Sequence, residues 1–151
     1  TYLHDTNTVI QNKIRQALDH KLNVILCVGE TKEQRDMLKT DQVLTKQLLG
    51  ALQDLSQEQL NHIYIAYEPV WAIGTNKIPT NRDIEDTIKF IKHIVESKLS
   101  FTDIPVLYGG SINAKNIGKL NQVKGCSGFL VGGSSLKLQE LFKIIEVAVK
   151  E

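Results

Sequence analysis

Four short apolar runs, each closed by a glycine or a Glu-Pro pair, constrain this chain more than any other feature. Val24-Ile25-Leu26-Cys27-Val28 ends at Gly29, and Ile63-Tyr64-Ile65-Ala66-Tyr67 ends at Glu68-Pro69. Val106-Leu107-Tyr108 ends at Gly109-Gly110, and Phe129-Leu130-Val131 ends at Gly132-Gly133. The runs are unbroken and rich in branched and aromatic residues, which predicts strands buried on both faces. Helical periodicity fills the gaps. Residues 6–20 place Val9, Ile10, Ile14, Ala17 and Leu18 on one face. Residues 32–52 read as one helix carrying Met37, Leu38, Val43, Leu44, Leu48, Leu49 and Leu52. Thr80 and Asp83 have capping-box spacing, and Ile84, Ile88, Ile91, Ile94 and Val95 follow at helical spacing. Residues 138–149 carry Leu141, Ile144, Ile145 and Val149. Strands alternating with helices predict an α/β fold of parallel strands joined by crossover helices, as an open sheet or as part of a closed barrel. The length predicts a single domain over residues 1–151.

In both architectures ligands sit at the carboxyl ends of the strands. Two of those ends repeat each other: Gly109-Gly110-Ser111 and Gly132-Gly133-Ser134, each with a serine expected to open a short helix. Paired glycines let backbone approach a ligand, and helix N-termini present free N–H groups, so the pair reads as an anion cradle. Two tight turns are the alternative. Glu68, pinned by Pro69 past a buried strand, reads either as a general base or as a structural carboxylate. The apolar loop Trp71-Ala72-Ile73-Gly74-Thr75-Asn76-Lys77 reads as a lid that bends at Gly74, or as a loop packed on its own tryptophan.

Composition narrows the function class. Apolar residues at 42% with a net charge of +1 exclude a disordered chain. The charge gives no support for bulk nucleic-acid binding. The longest apolar runs fall far short of the roughly 20 residues that span a membrane. Two cysteines, Cys27 and Cys126, predict buried thiols in a reducing compartment, with a cytoplasmic location. No signal peptide is apparent, and an opening Thr1 in place of Met predicts a processed or truncated chain.

The string Tyr67-Glu68-Pro69-Val70-Trp71-Ala72-Ile73-Gly74-Thr75 closely resembles the signature of the triosephosphate isomerase family. Ile25-Leu26-Cys27-Val28-Gly29-Glu30-Thr31, Tyr108-Gly109-Gly110-Ser111 and the segment from Gly128 to Leu136 resemble the family's later strand ends, in the same order. The resemblance covers essentially the whole chain. It implies a (β/α)8 barrel, which takes about 250 residues. This chain would supply the second half, strands five to eight with their helices. It implies interconversion of glyceraldehyde 3-phosphate and dihydroxyacetone phosphate, with Glu68 as the base. Gly74, Ser111, Gly132 and Gly133 would donate backbone N–H groups to the substrate phosphate. Trp71 to Lys77 would be the lid, latched by Tyr108 and Ser111. No metal or organic cofactor is implied. Asn76 stands where the family commonly has Gly, a mild change because Asn tolerates left-handed backbone. Pro79 stands near a lid-end position that is commonly Ala in the family, where a backbone N–H bonds the tyrosine hydroxyl; proline has no N–H, which weakens the latching role implied for Tyr108.

The resemblance also implies an electrophilic His at the end of the fourth strand and a Lys at the end of the first. His4 lies before the first helix, His20 at a helix end, His62 at a strand start and His93 inside a helix. Lys77 belongs to the lid. The chain is therefore expected to be weakly active or inactive alone. It is expected to be loosely folded, to self-associate, or to pair with the missing N-terminal half. The family's homodimer does not carry over, since its contacts come mainly from the absent half. Two other readings stand: a non-catalytic phosphate-binding half-barrel that serves as a folding or assembly fragment, and a different phosphate-binding barrel enzyme.

Overall fold

The computed structural model describes residues 5–73 and 79–149. Its first helix, α1 (Asn7–Asp19), starts where the Thr6 side chain accepts from the Val9 N–H and ends at His20, before Lys21 turns left-handed. Strand β1 (Val24–Val28) follows. The stretch expected as one helix is two, α2 (Lys32–Asp36) and α3 (Thr40–Leu52). The break falls at Leu38, whose φ of 55° ends α2 and leaves Met37 and Leu38 exposed. A short α4 (Gln57–Leu60), which periodicity did not reveal, leads into β2 (Ile63–Tyr67). A 3-10 turn at Val70–Ala72 precedes α5 (Asn81–Leu99), where Thr80 and Asp83 form the expected capping box. Then come β3 (Val106–Tyr108), α6 (Ile117–Leu120), β4 (Gly128–Phe129), a 3-10 turn at Gly133–Leu136, and α7 (Leu138–Ala148). Two expectations at the last strands need correction. Ser111 opens no helix, because α6 begins only at Ile117. The last strand is not Phe129-Leu130-Val131 but the shorter β4, because only Gly128 and Phe129 find register partners on the three-residue β3.

All four strands are parallel and lie in the order β1-β2-β3-β4. On one face Leu26, Val28, Ile63, Ile65, Tyr67, Val106 and Tyr108 are buried against Ile14 of α1, Leu44, Leu48 and Leu52 of α3, and Ile84, Ile88 and Ile91 of α5. The opposite face lacks such a layer. Cross-strand partners Ile25 and Tyr64 are 47% and 37% exposed there. Cys27, expected as a buried core thiol, is exposed on this same face. Helices thus cover the strands on one face, while the other leaves Ile25, Cys27 and Tyr64 exposed and keeps Ala66 buried. The far end is thinly packed as well. Among the described residues of α7 only Ile144 is buried, while Leu138, Phe142 and Ile145, with Val149 just past the helix, are exposed.

Candidate active site

The strand ends are stitched together by continuing the ladder one step past each strand. Glu68 N–H donates to Val28 O at 2.8 Å, Gly109 N–H to Tyr67 O at 2.9 Å, and Leu130 N–H to Tyr108 O at 2.9 Å. Glu68, Gly109 and Leu130 are therefore fixed relative to one another by backbone alone. Gly29 lets Glu68 sit so close: a Cβ there would lie 2.6 Å from the Glu68 carbonyl carbon. The Gln47 side chain holds both backbone groups of Gly29, at 2.9 and 3.0 Å. Gly109 clears the carboxylate itself, since a Cβ there would lie 2.6 Å from Glu68 Cγ and 2.7 Å from Oε1.

Glu68 is half-buried, and desolvation holds its carboxyl above the usual carboxylate range, with the Cys27 thiol donating to it and opposing the shift. Partial burial first, and then the Glu68 charge, push the Cys27 thiol up to about 11. The thiolate form is thereby disfavoured, and the Cys27 thiol acts as a hydrogen-bond donor to Glu68.

Glu30, to which sequence reasoning gave no role, is the most deeply held charge at these strand ends. It is 0% exposed and accepts from Tyr67 Oη at 3.2 Å, Trp71 Nε1 at 3.0 Å and Arg35 Nη1 at 3.3 Å. Val70 N–H donates to its carbonyl at 3.0 Å. Arg35 also pairs with Asp83 at 3.2 Å and lies 5.0 Å from the centre of the Trp71 ring. The start of the Trp71 segment is thereby anchored to β1, β2, α2 and α5. A buried carboxylate needs such hydrogen-bond partners. The signal for it in the sequence is slight: a Glu directly after a strand-ending glycine, followed by the Thr31 cap of α2.

The glycine-pair loops come together as expected. Ser134 Oγ donates to Ile112 O at 2.7 Å and so ties one loop to the other. Ser111 Oγ donates to Ala72 O at 2.7 Å, linking the first loop to the Trp71 segment. Glu68, Ile73, Gly110, Ser111, Gly132 and Gly133 all line one open cavity of about 810 Å³. Gly132 and Gly133 face open space, with no atom within 4 Å of an added Cβ. Tyr108 does not join them. Its hydroxyl is buried without a partner among the described residues, and burial pushes it up to about 12. Gly74, Thr75, Asn76, Lys77 and His4 lie outside the described residues. The described histidines stay away from the carboxyl ends: His20 caps α1, His62 precedes β2 with Nδ1 3.0 Å from Asn23 Oδ1, and His93 lies in α5. Among the described residues no His, Cys, Asp and Glu cluster could hold a metal ion, and no helix is long and apolar enough to cross a membrane.

Parallel strands joined through helices, with a carboxylate and two glycine pairs gathered at their carboxyl ends, define an α/β protein, a class in which ligands bind beyond the strand ends. The family model described as Triosephosphate isomerase matches residues 1–148, and the chain belongs to that family, whose fold is the TIM barrel. The glycosomal triosephosphate isomerase of Trypanosoma cruzi is 44% identical over 149 residues, covering 96% of this chain and 59% of the relative. The Aspergillus oryzae enzyme is 41% identical over 138 residues, covering 89% of this chain and 55% of the relative. That of Borrelia hermsii is 40% identical over 154 residues, covering 99% and 61%. The chain thus spans about three fifths of the length of these relatives.

Proposed function

We propose that this chain carries the base and the phosphate cradle of a triosephosphate isomerase acting on glyceraldehyde 3-phosphate and dihydroxyacetone phosphate, in glycolysis and gluconeogenesis. The observation that carries the reading is Glu68. It is half-desolvated, held by backbone to β1 and β3, and shares one cavity with Gly132 and Gly133. In the reaction its carboxylate takes the proton α to the substrate carbonyl, and the C–H electrons move to form an enediolate. Glu68 then delivers a proton to the neighbouring carbon, while the hydroxyl proton passes from one enediolate oxygen to the other and the carbonyl re-forms on the adjacent carbon. Backbone N–H groups of Gly74, Ser111, Gly132 and Gly133 hold the phosphate. Trp71 to Lys77 close over the site, exclude water and keep the enediolate from losing phosphate. Water exclusion also raises the carboxylate's basicity, and the partial desolvation of Glu68 already points that way. Ser111 rather than Tyr108 latches the lid, because Pro79 offers no N–H to the Tyr108 hydroxyl.

We place β1 to β4 as the fifth to eighth strands of a (β/α)8 barrel in a single cytoplasmic domain. A preceding half would cover the face bearing Ile25 and Tyr64. The greater length of the relatives and the sequential strand order support this placement. That preceding half would also supply the electrophile that polarises the carbonyl, since no described histidine lies at a strand's carboxyl end. Loss of such a group typically lowers turnover by about 10² to 10⁴-fold, so the chain alone is a poor catalyst. The same absence favours one second reading, a non-catalytic phosphate-binding fragment that works in assembly. An isomerase assay on the chain, with Glu68→Gln beside it, separates the two. Turnover that is weak and lost in the variant supports the enzyme. Turnover equal in both excludes Glu68 as the base. Phosphate binding without turnover, even with the preceding half of a relative added, leaves the assembly fragment.

A further inference from the structure

The cavity that holds Glu68 carries more positive charge than the reaction above has used. Its acids are Glu68 and Glu140, and its cations are Lys115 and Lys137. Glu140 is already engaged, its Oε2 accepting the Ala114 N–H at 3.0 Å. Lys137 is exposed and forms no ion pair among the described residues. Its position is electrostatically unfavourable in the empty site: it is the N-cap of the 11-residue α7, without a side-chain cap, where the helix dipole repels a cation. Its backbone N–H is fixed to Ser134 O at 3.3 Å, one residue beyond the open Gly132 and Gly133 cradle. An anion seated on those glycines reverses the sign of the interaction, because it is attracted to Lys137.

Resting on the proposed phosphate site, we propose that Lys137 is the cation of this chain that pairs with the substrate phosphate on Gly132 and Gly133. Lysine suits this task as a point charge that follows a phosphate without a fixed fork geometry. Lys115 is the weaker choice, because it stands between this cavity and a second groove beside Pro79 and Lys119.

Titration of the 151-residue chain with inorganic phosphate, followed by phosphorus NMR, tests the assignment. Lys137→Gln is expected to weaken phosphate binding about three- to tenfold at low salt, with Lys137→Arg restoring it. The difference is expected to shrink as salt rises toward 1 M, where screening acts over about 3 Å. A purely structural role for Lys137 would not give that salt dependence. Phosphate affinity unchanged in Lys137→Gln, or lost instead in Lys115→Gln, overturns the assignment and leaves the cradle standing. No phosphate binding by the unaltered chain overturns the cradle itself, and the assignment with it.

Discussion

The two ends of the sheet differ in how firmly they are built. At one end β1 and β2 pair over five residues, from Val24↔Ile63 to Val28↔Tyr67, and three helices bury their inner face. At the other end β3 and β4 share only Leu107↔Gly128 and Tyr108↔Phe129, and α7 buries Ile144 alone among its described residues. Glu68, the proposed base, stands on the firm end, and the proposed glycine cradle on the thin one. That division suits the two tasks. A proton-abstracting carboxylate must be held within a fraction of an ångström, whereas a phosphate gathered by several N–H groups helps to organise its own loops.

The sharpest way to break the comparison is to cut both ends equally. Leu48→Ala, in the fully buried layer of α3, should cost about 2–5 kcal/mol. Phe142→Ala on α7, which is exposed, should stay within about 0.5 kcal/mol. Chemical denaturation of both variants checks this. A large cost for Phe142→Ala would mean that α7 is covered in solution and that the thin end is not thin. Trp71→Phe comes next. It removes the 3.0 Å bond to the buried Glu30 and leaves Tyr67 and Arg35 to hold that carboxylate, at a cost of about 1–3 kcal/mol. Thermal denaturation measures it, and a neutral result would show that Glu30 does not need its indole donor.

The smallest effect concerns pH. The folded Glu68 carboxyl lies above its ordinary value, so the folded chain keeps that proton at pH values where the unfolded chain has lost it. Stability contributed at this site therefore falls as pH rises through the window above about 4.3. Glu68→Gln removes the slope. The variant should be at least as stable as the parent at pH 7, with the gap closing below about pH 4. Denaturation midpoints across that range check the sign.

The firm end was also the more legible in the sequence. Val24–Val28 and Ile63–Tyr67 stand as read, because unbroken apolar runs closed by Gly29 and by Glu68-Pro69 have no competing period. The Thr80 capping box was legible because cap chemistry is local. The errors have physical causes of their own. Nothing in the composition of residues 32–52 marks Leu38 for a left-handed conformation, so one helix was read where two exist. The face on which Cys27 stands depends on which side the helices pack, which alternation alone does not fix. The last strand was displaced because its length is set by the short β3 beside it. Glu68, Ser111, Gly132 and Gly133, which strand ends and glycine pairs point to in the sequence, share one cavity. Glu30 was not legible, because its partners come from β2, the Trp71 segment and α2, far apart in the chain.

The central claim is that Glu68 exchanges a proton with the substrate carbon. The most direct test is to incubate the chain with dihydroxyacetone phosphate in D2O and follow deuterium entering the hydroxymethyl carbon by NMR, with Glu68→Gln in parallel. Slow exchange is expected, abolished in Glu68→Gln and accelerated when the preceding half of a relative is added. Exchange at the same rate in the parent and in Glu68→Gln would contradict the claim.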